Sequence, residues 1–190
     1  MRLILASASP RRLDLLARIG VQPDAVDPAH IDESVPKGEL PRDHALRLAI
    51  EKANTVEERH PDALVLAADT VVAVGRRILP KVEDEATLRA CMKLLSGRRH
   101  RVLTGVALAI PGQVTRSRLV ETMIAMKRLS DEEIDYYASH GEWRGKAGGY
   151  ALQGYGEVYV RHIAGSYSNV VGLPLAETRH LLKSAGYDLA

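Results

Sequence analysis

The chain has 190 residues, 46% of them apolar and 26% charged, with 26 Lys and Arg set against 24 Asp and Glu. That length and balance describe one globular domain, or one domain with a modest lobe, large enough for a real core. A formal charge of +2 argues against a polyelectrolyte surface for extended nucleic-acid binding, and no apolar run approaches the ~20 residues of a membrane span. The single cysteine, Cys91, excludes an internal disulfide and falls in a helical pattern where it reads as core. The opening "MRLILASAS" has too short an apolar core for a signal peptide, so a cytoplasmic location is expected.

In chain order, Leu3 to Ala6 form a short apolar run suited to a buried strand. Ser9 stands at an N-cap, Pro10 at the first helical position and Gly20 at a stop, with Leu13, Leu16 and Ile19 on one helical face. "PDAVDP" reads as a short strand and the acidic "AHIDESVPKGELP" as irregular. Residues 41 to 59 are expected to form a helix starting at Pro41, with Leu46, Ala49, Ile50 and Ala53 on its apolar face and Lys52 on its polar side. "ALVLAAD" reads as a buried strand ending in Asp69, and "TVVAVGRRIL" continues as a hairpin turning near Gly75. Asp84 caps a helix running to Leu95. "HRVLTGVALAI" and "VTRSRLVETMIAMK" are long strands joined by the turn "PGQ". Ser130 and Glu133 have capping-box spacing, which predicts a helix over "DEEIDYYASH". The glycine-rich "GEWRGKAGGYALQGYGEVYV" reads as a loop before one more strand, and "PLAETRHLLKSAG" as a terminal helix. Early alternation of helices and strands around a long central hairpin predicts an α/β fold, a mixed twisted sheet flanked by helices with two lobes around a cleft.

The residues with chemistry begin at the first strand-to-helix junction. There the free N–H groups and positive end of the helix converge with Ser7, Ser9, Arg11 and Arg12. Adjacent guanidinium groups repel, so the pair is either an anion site with phosphate as its occupant or a solvated surface patch. Asp69, at a strand end where open α/β sheets place ligands, binds a cation, takes a proton from water, or caps a turn. Taken alone, Lys52 reads as a solvated helix charge and Lys81 as a loop charge. Asp32 and Glu33 offer oxygen ligands to a metal or form an exposed acidic loop. Gly145, Gly148, Gly149 and Gly154 leave room for backbone to approach a ligand, and Gln153 carries the donor and acceptor needed to read a nucleobase edge. Trp143 either stacks on a ligand or packs. "GSYSNVVGLP" either lays N–H groups and hydroxyls against a ligand or turns into the last helix. The seven histidines show no close metal-ligand spacing, which argues against a zinc hydrolase.

With these motifs in view, the chain resembles the Maf family of nucleoside triphosphate pyrophosphatases nearly end to end. The match runs through "LASASPRRLDLL", "LRLAIEKA", "AADTVV", "KVEDEATLRACMKLLSG", "HRVLTGVAL", "KAGGYALQG" and "GSYSNVVGLPL". The resemblance implies an elongated α/β fold of the inosine triphosphatase type, spanning residues 1–190 as a single domain around a deep nucleotide cleft. It also implies hydrolysis of a nucleoside triphosphate to monophosphate and pyrophosphate with a divalent cation, Mg²⁺ or Mn²⁺. Asp69 then matches the catalytic acid or base, with Lys52 and Lys81 beside it and Ser7 and Arg12 on the phosphates. Asp69 and Glu33 become the expected metal ligands. Arg11, Thr70 and Gln153 match the branch acting on dTTP and UTP, whereas the 7-methyl-GTP branch carries an aromatic residue, Gln and Glu. The chain departs from the family's Lys-Pro at Lys81-Val82, where Pro80 precedes the lysine. The expected partner is a small nucleotide, with no nucleic acid or membrane, and a homodimer is left open. Two alternatives stay beside this reading: a pyrophosphatase for 7-methyl-GTP or other non-standard nucleotides, and a nucleotide-sensing regulator linked to arrest of septum formation.

Overall fold

Leu3–Leu5 form strand β1, fully buried, in a computed structural model that describes residues 1–189. Helix α1 (Pro10–Arg18), strand β2 (Ala25–Val26) and helix α2 (Pro41–Glu57) follow, then β3 (Leu64–Val74), β4 (Arg77–Leu79), β5 (Lys81–Val82) and α3 (Glu85–Leu95). The second half holds the long hairpin β6 (Arg99–Ala109) and β7 (Arg116–Met126), then α4 (Asp131–His140) and β8 (Lys146–Ala147). A 3₁₀ turn (Tyr155–Tyr159), β9 (Val160–Ala164), α5 (Tyr167–Val171) and α6 (Leu175–Ser184) complete the chain. One sheet has the order β2-β1-β3-β6-β7-β9 with β4 also on β3, and β5 with β8 forms a separate ribbon. β1 pairs in parallel with β2 and β3, and the other pairs are antiparallel. The sheet is therefore mixed, as expected.

Side-chain alternation along β3 assigns its two faces. Leu64, Leu66 and Ala68 join Leu15 and Leu16 of α1 and Leu181 and Leu182 of α6, while Val65 and Ala67 meet Ala49, Ala53 and Val56 of α2. Farther along the same strands, Val72, Val102 and Ile124 enter a second core with Leu88 and Met92 of α3, Ile134 and Tyr137 of α4, and Trp143. These cores are the two lobes, with a cleft between them. Cys91 lies in the second core, as its helical position suggests.

Local signals act as read. Pro10 starts α1, the Asp84 side chain accepts from Thr87 N at 2.8 Å, and Ser130 with Glu133 closes a full capping box. Two expectations need correction. Asp69 does not end its strand but sits inside β3, which runs on to Val74. It is β1 that stops: its last link is Ala6 N to Leu66 O at 2.8 Å, and β4 joins β3 only from Val72. Between these points one edge of β3 is left open, and Asp69 and Thr70 lie there. The second correction concerns Gly148, Gly149 and Gly154 of the late loop, which serve the fold, whereas Gly145 lines the cleft as expected. A Cβ on Gly149 would meet Val82 and Leu88 at 2.9 and 2.8 Å, and one on Gly154 would meet Glu142 Oε2 at 2.3 Å.

Candidate active site

The junction of β1 and α1 opens into a cleft of about 720 Å³ between the lobes. Ser7, Arg11, Arg12, Glu33, Lys52, Asp69, Thr70, Lys81 and Gln153 all line it, whereas Asp32 stays outside as part of an exposed loop, its carboxylate accepting from Ser34 N at 2.9 Å and Ser34 Oγ at 3.0 Å. They arrive from α1, the acidic loop, α2, β3, β5 and the late loop.

Lys52 is the main revision. It is not on the solvated side of α2 but buried on the inward face with Ala45, Leu48, Ala49, Ala53 and Val56, while Leu46 and Ile50 are only half-buried. Alanines at 45, 49 and 53 keep that face thin. Gly105 of β6, directly across from Asp69, lets α2 press down, since a Cβ there would lie 2.3 Å from Ala45 O. The close approach sets Lys52 Nζ 2.7 Å from Asp69 Oδ1. The same ammonium pairs with Glu33 Oε1 at 2.6 Å, and Glu33 Oε2 accepts from Lys81 Nζ at 2.6 Å. The result is a row of alternating charge, Asp69, Lys52, Glu33 and Lys81, that crosses from the first lobe to the second. Burial pushes the Glu33 carboxyl up, but hydrogen bonds and charge from Lys52 and Lys81 outweigh it and hold it down at about 2. Val82, where the family has proline, is fully buried in the second core and its carbonyl accepts from Gly145 N at 2.8 Å, which fixes the Lys81 strand.

Arg12 is anchored without a carboxylate. Its Nε donates to Gly172 O at 2.9 Å, Nη1 to Ser7 Oγ at 2.8 Å and Nη2 to Thr70 Oγ1 at 3.5 Å. The Thr70 hydroxyl is shared with Thr104 Oγ1 at 2.9 Å, which in turn donates to Asn169 O at 3.1 Å. Burial lowers the pKa of Arg12, as does Arg11, while Asp69 and Glu33 act the other way. Ser9 takes the N-cap position, yet its side chain makes no cap bond; Pro10 carries no N–H and Arg12 N donates to Ser9 O at 3.1 Å, which leaves the Arg11 N–H of the first turn for an anion. Gln153 is exposed on the cleft wall, whereas Trp143 packs, with Nε1 donating to Ala138 O at 2.8 Å.

Sequence reasoning passed over Lys146, Arg144 and Tyr150, which also line the cleft. Lys146 stands inside the quoted "KAGGYALQG", but only its pairing with Val82 in the β5–β8 ribbon brings it to the site. Among the described residues no three His, Cys, Asp or Glu side chains gather to hold a metal. Asp69 and Glu33, on either side of Lys52, offer two hard oxygen donors. That set suits a cation held by one or two carboxylates plus phosphate oxygens and water.

Comparison with known proteins agrees with this architecture. The family described as Maf-like protein matches residues 2–185. The dTTP/UTP pyrophosphatase of Caulobacter vibrioides is 62% identical over 185 residues, 97% of this chain and 96% of that protein. The protein of the same name from Paramagnetospirillum magneticum is also 62% identical, over 97% of both chains, and that of Zymomonas mobilis is 58% identical over 99% of this chain and 93% of its own. A solved HAM1 protein from Coxiella burnetii, 14% identical, superposes with a TM-score of 0.53 over 97% of this chain and 100% of its own, which shows a shared fold. The chain belongs to the Maf family.

Proposed function

We propose that the protein hydrolyses dTTP and UTP to the nucleoside monophosphate and pyrophosphate. The observation that carries this reading is the meeting, in one cleft, of an uncapped helix start with fixed Arg12 and the charge row that begins at Asp69. The names of the close relatives support the choice of dTTP and UTP.

The triphosphate lies against the N-terminus of α1, held by Arg12, Ser7 and the Arg11 N–H. Water attacks the α-phosphorus and pyrophosphate leaves, so the protein's task is to position groups and neutralise charge spreading over phosphate oxygens. Asp69 accepts the proton of the attacking water at Oδ2, the oxygen that Lys52 leaves without a hydrogen bond. Lys52 fixes the carboxylate's orientation, and Lys81 faces the phosphates from the opposite lobe. If Asp69 instead holds a divalent cation together with Glu33, that Mg²⁺ or Mn²⁺ would supply further positive charge to the phosphate oxygens. Gln153 presents an amide N–H and a carbonyl to the complementary edge of uracil or thymine, and Arg11 lines the same cleft from α1. Thr70, its hydroxyl already shared, orients Arg12. One chain supplies all of these groups, which supports residues 1–190 acting as a single domain, working in the cytoplasm where such nucleotides are present.

The test is product analysis with purified protein, Mg²⁺ or Mn²⁺, and dTTP, UTP, CTP and 7-methyl-GTP. Pyrophosphate and monophosphate from dTTP and UTP are expected; orthophosphate and diphosphate would overturn the cleavage point. Asp69→Asn should lower kcat by about 10²–10⁴-fold, and a loss below about threefold would remove Asp69 from the acid–base role.

A further inference from the structure

The cations of the cleft fall into two groups. Lys52 and Lys81 are neutralised by Asp69 and Glu33. Arg11, Arg12, Arg144 and Lys146 line the same cavity and, among the described residues, none of them forms an ion pair. Arg11 reaches it from α1 in the first lobe and Lys146 from β8 in the second.

Lys146 is kept free by its surroundings. Its ammonium donates to the backbone carbonyl of Glu142, while the nearby Glu142 carboxylate is turned away from it. That carboxylate accepts from Tyr155 N at 3.0 Å and Gly156 N at 2.9 Å. Gly154 makes this possible, since any Cβ there would collide with Glu142 Oε2. The loop thus spends its own acid on backbone N–H groups and presents a half-buried lysine to the cleft. Burial, and then the charge of Arg11, lower the Lys146 pKa, and Glu142 opposes them.

The position of this lysine along the cleft follows from the groups around it. The phosphate-binding end is marked by Arg12, fixed at the start of α1 by Ser7 Oγ at 2.8 Å and Gly172 O at 2.9 Å. Lys146 shares the late loop with Gln153, and both line the cleft. It therefore stands on the wall that carries the residue assigned to the base. Arg11, Lys146 and Gln153 all bring donors to the cleft, and the acid beside Lys146, Glu142, is taken up by the N–H groups of Tyr155 and Gly156. Such a pocket suits a neutral ring rich in carbonyl oxygens and repels a ring with a fixed positive charge. Uracil and thymine are of the first kind, and 7-methylguanine is of the second.

We propose that Lys146 is a specificity-determining residue that donates to a pyrimidine carbonyl and, with Arg11, excludes cationic bases. This rests on the pyrophosphatase reading of the cleft. Lys146→Met keeps the aliphatic stem and removes the charge, and Lys146→Glu reverses it. Lys146→Met should lower kcat/KM for UTP and dTTP by about tenfold or more, mainly through KM, because a hydrogen bond from a charged donor is lost. It should leave inhibition by pyrophosphate unchanged and spare 7-methyl-GTP, while Lys146→Glu should raise the relative rate on 7-methyl-GTP further. Equal losses on all nucleotides together with weaker pyrophosphate inhibition would place Lys146 on the phosphates and overturn the inference. Unchanged kinetics with a lowered Tm would overturn it too, leaving only a loop tie to Glu142. If the wild-type protein releases no pyrophosphate from any nucleotide, the pyrophosphatase reading fails. Binding of UMP against 7-methyl-GMP to wild type and Lys146→Met still tests the base contact on its own.

Discussion

Replacing Lys52 by Met removes the cation held between Asp69 and Glu33 while keeping the apolar stem packed under α2. The Lys52 side chain is 9% exposed, Asp69 8% and Glu33 37%, so the variant leaves one buried carboxylate and one half-open one facing each other. Removing one partner of a buried pair costs about 3–5 kcal/mol. Glu33 keeps Lys81 and some solvent, so the lower end, ~3 kcal/mol, is expected here. For a chain of this size that corresponds to a fall in Tm of roughly 6–12 °C. Guanidinium denaturation at neutral pH reads it directly. Adding Asp69→Asn removes the stranded charge, so the double variant should recover about 2 kcal/mol of stability while staying inactive. The pH dependence has a definite sign. Glu33, held at about 2 in the wild-type protein, contributes stability that is full above its ordinary range and is lost as pH falls toward 2. Without Lys52 that contribution shrinks, so the gap between wild type and Lys52→Met should be widest at neutral pH and close on acidification. A single variant within about 0.5 kcal/mol of wild type, or a double variant less stable than the single, would refute this account of the charge row.

Arg12→Lys should behave much like Arg12→Ala, with kcat/KM down at least about tenfold, because an ammonium cannot reproduce a planar fork bound to Gly172 O, Ser7 Oγ and Thr70 Oγ1. A lysine variant with wild-type kinetics would show that only charge matters there. Gln153→Glu puts an acceptor-only anion where a pyrimidine carbonyl should lie. It should cost about one to two decades in kcat/KM on dTTP and UTP and less on 7-methyl-GTP; an equal loss on all three would make Gln153 a support for its loop. His100 is 2% exposed, bonded through Nε2 to the Tyr150 hydroxyl at 2.7 Å, and burial pushes its pKa down to about 4. A folded pKa below the unfolded one favours the neutral ring, so stability is full above about pH 6.5 and declines toward about pH 4. Denaturation at about pH 7.5 and about pH 5 should show wild type losing ~2 kcal/mol more than His100→Gln, and equal losses would contradict it.

Much of this molecule is set by interactions within a few residues, and the sequence alone determined those parts. Pro10 starts α1, Asp84 caps α3, and Ser130 with Glu133 closes its box because each device completes itself inside one helical turn. Two long strand-like runs on either side of the "PGQ" turn made the long hairpin legible for the same reason. The motifs shared with the Maf family named the residues that line the cleft, but they could not aim them. Lys52 looks like a surface charge until Asp69, 17 residues away, and Glu33 supply counter-charges that make an inward lysine tolerable. Asp69 looks like a strand end until β1 is seen to stop early and expose an edge of a strand that continues to Val74. Gly105 decides how near α2 comes, and its meaning depends on a backbone carbonyl at Ala45 that no local pattern places there. Lys146 was hidden because a two-residue pairing with Val82 brings it to the cleft, and a ribbon that short carries no periodicity. Charges and glycines gain their roles from partners distant in the chain, and only the tertiary structure brings those partners together.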